Sequence, residues 1–394
     1  MRQYNRVCAK INLDAITHNM NQMKKHIGDN AQIMAVVKAG GYGHGSVPIA
    51  RHLETEEYIW GFAVASLEEA LVLRNAGIKK TILVLGCIFP DQYEEMMEYD
   101  ICPTIYFSEM AENMNRAAVR MGKMLHAHIK LDTGMGRLGF AVNQENARIV
   151  ADIYRMSNIT VTGLFTHFAK SDETDPAYTN WQYDEYIRFY HMLVELGIID
   201  ENGKGIPYYH CNNSAGIIAF PQFSHNLVRA GISTYGMYPS DEVDVTKILL
   251  KPALELTSHV AFVKEIAAGT AVSYGGTFVA PTAMKIAVIP VGYGDGYPRS
   301  LSGKGAVLIR GRRCPILGRV CMDQFMVDVS DLDEVKFMDQ VVLIGRSGKE
   351  QITVDELSRL SNRFNYEFVC CLGSRIPRIY TKNDVAIDWI DILS

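Results

Sequence analysis

Strand-like and helix-like segments alternate along roughly the first 230 residues, and this alternation constrains the fold more than any other feature. Eight strand-like segments are predicted strands, and each is followed by a helical or loop-like stretch. The predicted strands lie at 33–39, 60–66, 81–86, 102–107, 126–132, 161–169, 208–214 and 227–231. Eight such units predict an α/β protein with an N-terminal (β/α)8 barrel of the TIM type.

The glycine-rich segment after the first strand argues against the main competing α/β fold. An open doubly wound sheet that binds a dinucleotide needs a GxGxxG fingerprint at this point. The sequence instead reads KAGGYGHG at 38–45, which does not match.

Two helices between the strands are predicted from their own signals. In SLEEALVLRNAG (66–77), Ser66 followed by Glu69 is typical of a capping box, and Gly77 is typical of a helix C-terminus. The stretch 180–197 is predicted to be an amphipathic helix.

The pattern of segments changes after about residue 240, from alternating strands and helices to short strands alone, and this change predicts a second domain. Its strand-like segments are short and separated by Gly, Pro and Asp turns, and RIPRIYT near the C-terminus is its predicted closing strand. The 394 residues also exceed the usual single-domain limit of roughly 250–300. We therefore predict a barrel domain at 11–240 and a β-rich C-terminal domain at 241–394 that includes residues 1–10.

Composition excludes several classes of partner. The formal net charge is −5 and no Lys/Arg-rich run occurs, which argues against nucleic acid. No run approaches the roughly 18 apolar residues of a membrane span, and the N-terminus lacks a signal pattern. The eight cysteines show no CxxC spacing, which is typical of reduced thiols in a cytoplasmic protein.

Polar residues gather where the predicted barrel strands end, which is where barrel enzymes hold their catalytic groups. Lys38 ends the first strand, either as a solvated lysine or as a reactive amine. His126, His128, Lys130 and Asp132 share one face of the fifth strand. They predict either a structural polar network ending in Arg137 or a metal site. Because no further ligand set appears at later strand ends, we predict no metal.

Three more strand ends add to this rim. His167 closes the sixth strand, Asn213 and Ser214 open a helix after the seventh, and Arg229 closes the eighth. Helix-opening backbone N–H groups bind phosphate, although a simple helix cap explains Ser214 equally well. An amine, a phosphate-binding turn and a fixed cation are what an aldehyde cofactor with a phosphate needs. The rim therefore predicts pyridoxal 5′-phosphate.

At this point the sequence resembles the alanine racemase family along nearly its whole length. The motifs that carry the resemblance are AVVKAGGYGHG, KLDTGMGRLG, FTHFAKSDE, NNSAG, VRAGISTYG, VSYGGTF, VGYGDGYPR, GRVCMDQ and NYEFVC with RIPRIY, in the family's order. The resemblance implies an isomerase that interconverts L- and D-alanine, a homodimer with shared active sites, and D-alanine as a peptidoglycan precursor.

The resemblance also implies a role for each matched residue. Lys38 is the cofactor-bearing lysine and one of two bases, and Tyr274 of the neighbouring subunit is the other. The remaining implied roles are His167 assisting the tyrosine, Arg229 at the pyridine nitrogen, Tyr42, Ser214, Gly231, Ile232 and Tyr366 at the phosphate, Arg137 and Met322 at the substrate carboxylate, Tyr293 and Asp323 at the entrance, and Lys130 as a candidate for carbamylation.

The chain departs from the family pattern at two places. Gly40-Gly41 stands where Asn-Ala or Asp-Ala is usual, and Gly294 stands where Ala is usual. Both departures replace a side chain with freer backbone, and neither touches a residue with an implied role.

Three related functions compete with alanine racemisation. A PLP-dependent decarboxylase on this kind of barrel resembles its relatives in placing a glutamate at the ring nitrogen, where this chain has Arg229. A non-catalytic PLP-binding protein resembles the barrel alone, without a domain that supplies Tyr274 and Met322. A serine or broad-spectrum racemase shares the whole scaffold, and Tyr366, which narrows the pocket in the family, favours alanine.

Overall fold

The chain divides into two compact units in the computed structural model, which describes residues 4–200 and 203–391. One unit contains Ile16–Gly41 and Ser46–Lys251. The other contains the described residues up to Ala15, Tyr42–Gly45, and the chain from Pro252 onward. The domain limits of 11–240 and 241–394 remain a prediction.

The first unit is a nearly closed barrel of eight parallel strands, which confirms the predicted architecture. The strands are Gln32–Val36, Ile59–Val64, Thr81–Val84, Cys102–Ile105, Leu125–Asp132, Ile159–Phe165, Tyr208–His210 and Leu227–Ala230. The last strand pairs with the first, and the others follow in chain order. Each overlaps its predicted segment, because most buried parallel strands are nearly continuous apolar runs that are easily recognised.

Helices alternate with the barrel strands, and the first helix precedes the first strand. They are Leu13–Ile27, Ser46–Leu53, Leu67–Asn75, Tyr93–Glu98, Ser108–Met121, Gln144–Tyr154, Ala177–Glu195 and Ser214–Ala219. The helix predicted at 66–77 is present, with Ser66 as its N-cap. The helix predicted at 180–197 begins three residues earlier, because the Asp175 carboxylate accepts the amide hydrogen of Ala177 at 3.0 Å and Pro176 is suited to a helix start.

The second unit is mostly strand, as predicted. Its main sheet contains, in spatial order, Phe262–Ile266, Met284–Ile289, Phe325–Asp328, Arg312–Leu317, Ala306–Ile309, Gln340–Ser347, Leu254–His259, Val7–Asn12, Arg378–Lys382 and Val385–Ile390, with Glu350–Ile352 paired to Gln340–Ser347. Ala271–Val272 and Phe278–Val279 form a separate hairpin, and two helices are present, Val354–Ser361 and Asn365–Cys370.

One expectation for the second unit is wrong. The predicted closing strand is present as Arg378–Lys382, but Val385–Ile390 pairs beyond it and forms the edge of the sheet. Buried and exposed positions do not alternate there as in a covered strand, since Val385, Ile387 and Trp389 are all exposed.

Within the described part of the chain, none of the helices combines the length and apolar character that crossing a membrane requires.

Candidate functional site

Lys38 lies two residues after the first barrel strand, rather than at its end, and opens a left-handed turn. Ala39, Gly40 and Gly41 have φ of 51°, 59° and 64°, and the Gly41 amide donates to the Val37 carbonyl at 2.8 Å. Positive φ is costly for residues with a Cβ and is free for glycine. The unusual Gly40-Gly41 pair therefore lowers the cost of the turn that positions Lys38.

Gly40→Ala is expected to lower the free energy of unfolding by about 1 kcal/mol. The cost is purely conformational, because a Cβ at residue 40 would meet no heavy atom within 4 Å. Gly40→Asn is the matched variant and should cost less, since asparagine tolerates the left-handed region. Urea denaturation of the three proteins measures the order, and an alanine variant as stable as the wild type would contradict the prediction.

Arg229 is a buried cation whose hydrogen-bond partners are all neutral. Its Nη1 donates to His210 Nδ1 at 2.7 Å and to the His210 carbonyl at 3.0 Å. Its Nη2 donates to the carbonyls of Thr166 and Cys211 at 2.8 and 2.9 Å, and to His167 Nδ1 at 3.2 Å. Burial lowers the pKa of Arg229 to about 10, so the group stays charged near neutral pH. Its Nε–H makes no hydrogen bond with the described residues, which leaves one donor for a ligand.

Two histidines that are linked to Arg229 by hydrogen bonds, His210 and His128, are neutral. Because arginine only donates, His210 Nδ1 accepts, and the proton on its Nε2 is donated to His128 Nδ1 at 2.9 Å. Burial, and then the charge of Arg229, lowers the pKa of His128 to about 3 and that of His210 well below its usual range. A polar network is thus present, but it ends in Arg229 rather than in Arg137, and His126 is exposed.

His167 is fixed in one tautomer by the same logic. Its Nδ1 accepts from Arg229, so a neutral ring carries its proton on Nε2. Burial first, and then the positive charges of Arg229, Arg137, Lys130 and Lys38, lower the pKa of His167 well below its usual range. His167 is therefore a neutral hydrogen-bond donor.

Lys130 is buried among these cations. Burial, followed by Arg137 and Arg229, lowers the pKa of its amine to about 8, although Asp132 opposes the shift. The amine also lies 5.7 Å from the centre of the Phe165 ring. The charge of Lys38 also lowers the pKa of Lys130 and of His167. Five basic side chains of the barrel unit therefore interact electrostatically: Lys38, Lys130, Arg137, His167 and Arg229.

Asp132 organises the loop that presents Arg137. One carboxylate oxygen accepts from the amides of Gly134 and Gly136, and the other accepts from the amide of Arg137, all at 3.0 Å. Burial by itself raises the pKa of Asp132, but these backbone hydrogen bonds outweigh it and leave the pKa below its usual value. The sequence placed Asp132 on the polar face but did not reveal this function.

A cluster of backbone amides meets the buried hydroxyl of Ser214. Its Oγ accepts from the amides of Gly231 and Ser233 at 2.9 and 3.3 Å, and Ile232 opens the short turn between them. Asn213 caps the following helix by accepting from the Gly216 amide at 2.9 Å. Converging N–H groups and a hydroxyl suit the oxygens of a phosphate. The cap and the phosphate-binding interpretations of this turn are therefore compatible.

The remaining predicted residues lie in the second unit. The rings of Tyr42 and Tyr366 are 6.0 Å apart, and Tyr366 stacks on Phe364 at 4.5 Å. Tyr274 is 68% exposed and follows Ser273, whose φ of 67° is rare outside glycine. Strained backbone of this kind is often found at functional sites.

Tyr274, Tyr293 and Met322 belong to neighbouring loops. The Ser273 hydroxyl donates to the Arg319 carbonyl at 2.6 Å, and the Tyr293 amide donates to the Cys321 carbonyl at 3.1 Å. Tyr274, Ser273 and Cys321 line a surface cleft of about 630 Å³.

Gly294 makes room for an arginine at the second of these loops. The Gly294 amide donates to the Met322 carbonyl at 2.8 Å, so this departure does touch a residue with an implied role, contrary to the expectation from the sequence. Arg375 pairs with Asp323 at 2.8 Å. A Cβ at residue 294 would lie 2.5 Å from Nη1 of Arg375. Glycine here therefore lets Arg375 lie across the loop beside Asp323.

Residues 4–200 and 203–391 contain no group of three or more His, Cys, Asp or Glu side chains able to hold a metal ion. Two contacts are not predicted from the sequence. His210 contacts Arg229, and the Glu69 carboxylate accepts from the Ala39 amide, whereas the sequence predicts Glu69 only as part of a helix cap. The strand ending at His210 offered a signal, because it places a histidine inside the barrel.

A lysine at one strand end and a phosphate-binding turn at another are the pairing that pyridoxal 5′-phosphate requires. The unused Nε–H of Arg229 further suits the ring nitrogen of that group. Fold and site together are typical of a barrel enzyme that depends on this cofactor.

Comparison with known proteins gives the family. The model of "Alanine racemase, N-terminal domain" matches residues 11–239, and that of "Alanine racemase, C-terminal domain" matches 253–380. An alanine racemase of Desulforamulus reducens is 45% identical over 95% of this chain and 98% of its own. The chain belongs to the alanine racemase family, whose members are isomerases that depend on pyridoxal phosphate.

Solved structures agree with this assignment. An alanine racemase of Clostridium difficile 630 superposes with a TM-score of 0.94 at 34% identity, covering 100% of both chains. An alanine racemase from Bacillus anthracis with bound L-Ala-P gives a TM-score of 0.92 at 35% identity, covering 100% of this chain and 99% of that one.

Proposed function

We propose that the chain interconverts L-alanine and D-alanine by removing the Cα proton from one face and returning it to the other. Family membership supports the reaction, and the observation that carries it is Arg229. This buried guanidinium is surrounded by neutral partners and only donates, so it would leave unprotonated a ring nitrogen that it contacts. A carboxylate at this position would keep the nitrogen protonated and favour side reactions such as transamination.

The site geometry supports an assignment of residues to the cofactor. Lys38 would carry pyridoxal phosphate, Arg229 would donate to its ring nitrogen, and the Ser214 hydroxyl with the Gly231 and Ile232 amides would bind its phosphate, together with Tyr42 and Tyr366. When bound, the cofactor withdraws electrons from the Cα–H bond of the amino acid that it holds.

A single base would have to move from one face of the substrate to the other, whereas two bases on opposite faces need no such movement. We assign the Lys38 amine to one face and the phenol of Tyr274, contributed by a second copy of the chain, to the other. The neutral His167 has an Nε2–H available to stabilise the phenolate, because Arg229 occupies its Nδ1. Arg137 and the Met322 amide would bind the substrate carboxylate, and Tyr293 and Asp323 would line the entrance.

A homodimer with shared sites is supported by the surface of the second unit. Tyr274, Met322 and Tyr293 are 68%, 52% and 41% exposed although their side chains are large and mainly apolar. Exposed groups of this kind commonly mark an interaction surface. We propose that a second copy covers them, and that the D-alanine made in the cytoplasm serves peptidoglycan synthesis.

Lys130 is expected to be carbamylated. With a pKa of about 8, about a quarter of the amine is neutral near pH 7.5, against about a thousandth for an ordinary lysine, and only the neutral amine attacks carbon dioxide. The anionic product would pair with Arg137. Carbon-13 NMR with labelled bicarbonate should show a carbamate that weakens as the pH falls below about 8, and that Lys130→Gln abolishes while Lys170→Gln does not. A carbamate signal that does not change with pH, or that persists in Lys130→Gln, would contradict this prediction.

Arg229→Glu is expected to slow racemisation about a hundredfold and to raise the proportion of transamination product. The reason is that a glutamate would keep the ring nitrogen protonated and strengthen its pull on electrons. Product analysis after long incubation measures the ratio, with circular dichroism to verify folding. An unchanged ratio in a folded variant would argue against the assignment of Arg229.

Chiral separation after incubation of each L-amino acid with enzyme and pyridoxal phosphate tests the function itself. Alanine should reach an equal mixture of enantiomers fastest. Faster conversion of serine would indicate a serine or broad-spectrum racemase instead of an alanine racemase. Release of carbon dioxide would indicate a decarboxylase.

A further inference from the structure

Glu69 does not complete the capping box that its sequence predicts. In that motif the glutamate carboxylate accepts from the amide of the N-cap residue, which here is Ser66. The Ser66 hydroxyl does accept from the Glu69 amide, at 3.5 Å. The Glu69 carboxylate, however, accepts from the amides of Ala39 and Ala65, at 2.6 and 2.8 Å.

These two amides follow neighbouring strands of the barrel. Ala65 comes directly after Ile59–Val64, and Ala39 lies three residues after Gln32–Val36, the strand paired with it. Each carboxylate oxygen takes one amide, so one charged side chain joins the ends of two strands. Hydrogen bonds to an ionised acceptor are stronger than those between neutral groups.

The Ala39 amide belongs to a residue that carries a side chain within the left-handed turn. Ala39 adopts φ 51° and ψ 47°, the left-handed region that an alanine enters only at a cost. Its two successors are glycines and enter that region freely. Within residues 4–200 and 203–391, Glu69 is the acceptor for the Ala39 amide.

We propose that Glu69 is a positioning residue for Lys38: by holding the adjacent amide, it sets the left-handed turn that aims the lysine amine. The inference rests on the proposed role of Lys38 and adds to it a residue on a different helix. Glu69 itself touches no reacting atom. Its loss should therefore alter how Lys38 is presented, without altering how alanine is bound.

Glu69→Ala and Glu69→Gln test the proposal, with Glu68→Gln as the matched control on the same helix. Glu68 is exposed and bonds to Gln92, away from the turn. Amide hydrogen exchange of the cofactor-free protein should accelerate about tenfold at residues 39–41 in Glu69→Ala. Glutamine keeps one acceptor and should give a smaller change, and the control should give none.

Kinetics of the loaded enzyme supply the second measurement. Glu69→Ala should lower kcat about tenfold and leave KM for alanine within about twofold. Unchanged exchange at 39–41 would overturn the proposal, as would a rise in KM alone. If the wild type fails to racemise alanine while exchange still depends on Glu69, the proposed function fails and the control of the turn by Glu69 stands. Glu69→Gln keeps the test available should the alanine variant not fold.

Discussion

Lys38→Ala is expected to reduce racemisation by at least about ten-thousandfold, the largest effect of any single substitution in this chain. The change removes the amine that would hold the cofactor and also one of the two bases. Burial is not the reason for the loss, because Lys38 is only half-buried and opens a turn whose glycines tolerate the backbone shape. The fold should survive.

Three measurements separate a chemical loss from a structural one. Absorbance should show that the variant no longer holds pyridoxal phosphate covalently, while circular dichroism stays unchanged. Lys170→Ala is the matched control, since Lys170 is exposed and paired with Glu173 at 3.2 Å. An added small amine such as methylamine should restore part of the activity. A Lys38→Ala enzyme that retains full activity would eliminate the assigned mechanism.

Tyr274→Phe is expected to lower the rate by about a hundredfold to ten-thousandfold, the range for removing a general acid–base group. Only the phenolic oxygen is lost, and the ring keeps its exposed position after Ser273. Tyr190→Phe, in the helix Ala177–Glu195, is the control and should change the rate far less, because Tyr190 has no assigned role in the site.

Mixing the two inactive proteins tests whether the sites are shared. In a dimer of one Lys38→Ala chain and one Tyr274→Phe chain, one site carries both lesions and the other carries neither. Random reassociation gives half hybrids, so about a quarter of the wild-type activity should return. Recovery after mild dissociation, followed by removal of denaturant, measures this. No recovery from subunits shown to have exchanged would mean that each site draws on one chain.

Much of the architecture could be predicted from the sequence, because the signals are local. Most of the barrel strands are continuous apolar runs, with the alternating strand at 126–132 as an exception, and the change to short strands after residue 240 reflects turn residues between them. The final strand, Val385–Ile390, escaped prediction because its apolar positions are exposed rather than buried. An edge strand with one uncovered face lacks the burial that makes the other strands recognisable.

The site likewise has features that could be predicted from the sequence and features that could not. Lys38, His167, Ser214 and Arg229 could be found because each lies at the end of a predicted strand or beside it. The contacts of Glu69 with Ala39 and of Arg229 with His210 could not, since they join residues 30 and 19 positions apart.

By itself, the sequence determined the order of strands and helices, the two patterns of segments along the chain and the residue types at the strand ends. Only the tertiary structure decided which histidine nitrogens carry protons, where the Glu69 carboxylate points and that the backbone turns left-handed at Ala39–Gly41. Secondary structure follows from the spacing of neighbours along the chain, whereas proton positions and hydrogen-bond partners depend on which distant groups folding brings within about 3 Å of one another.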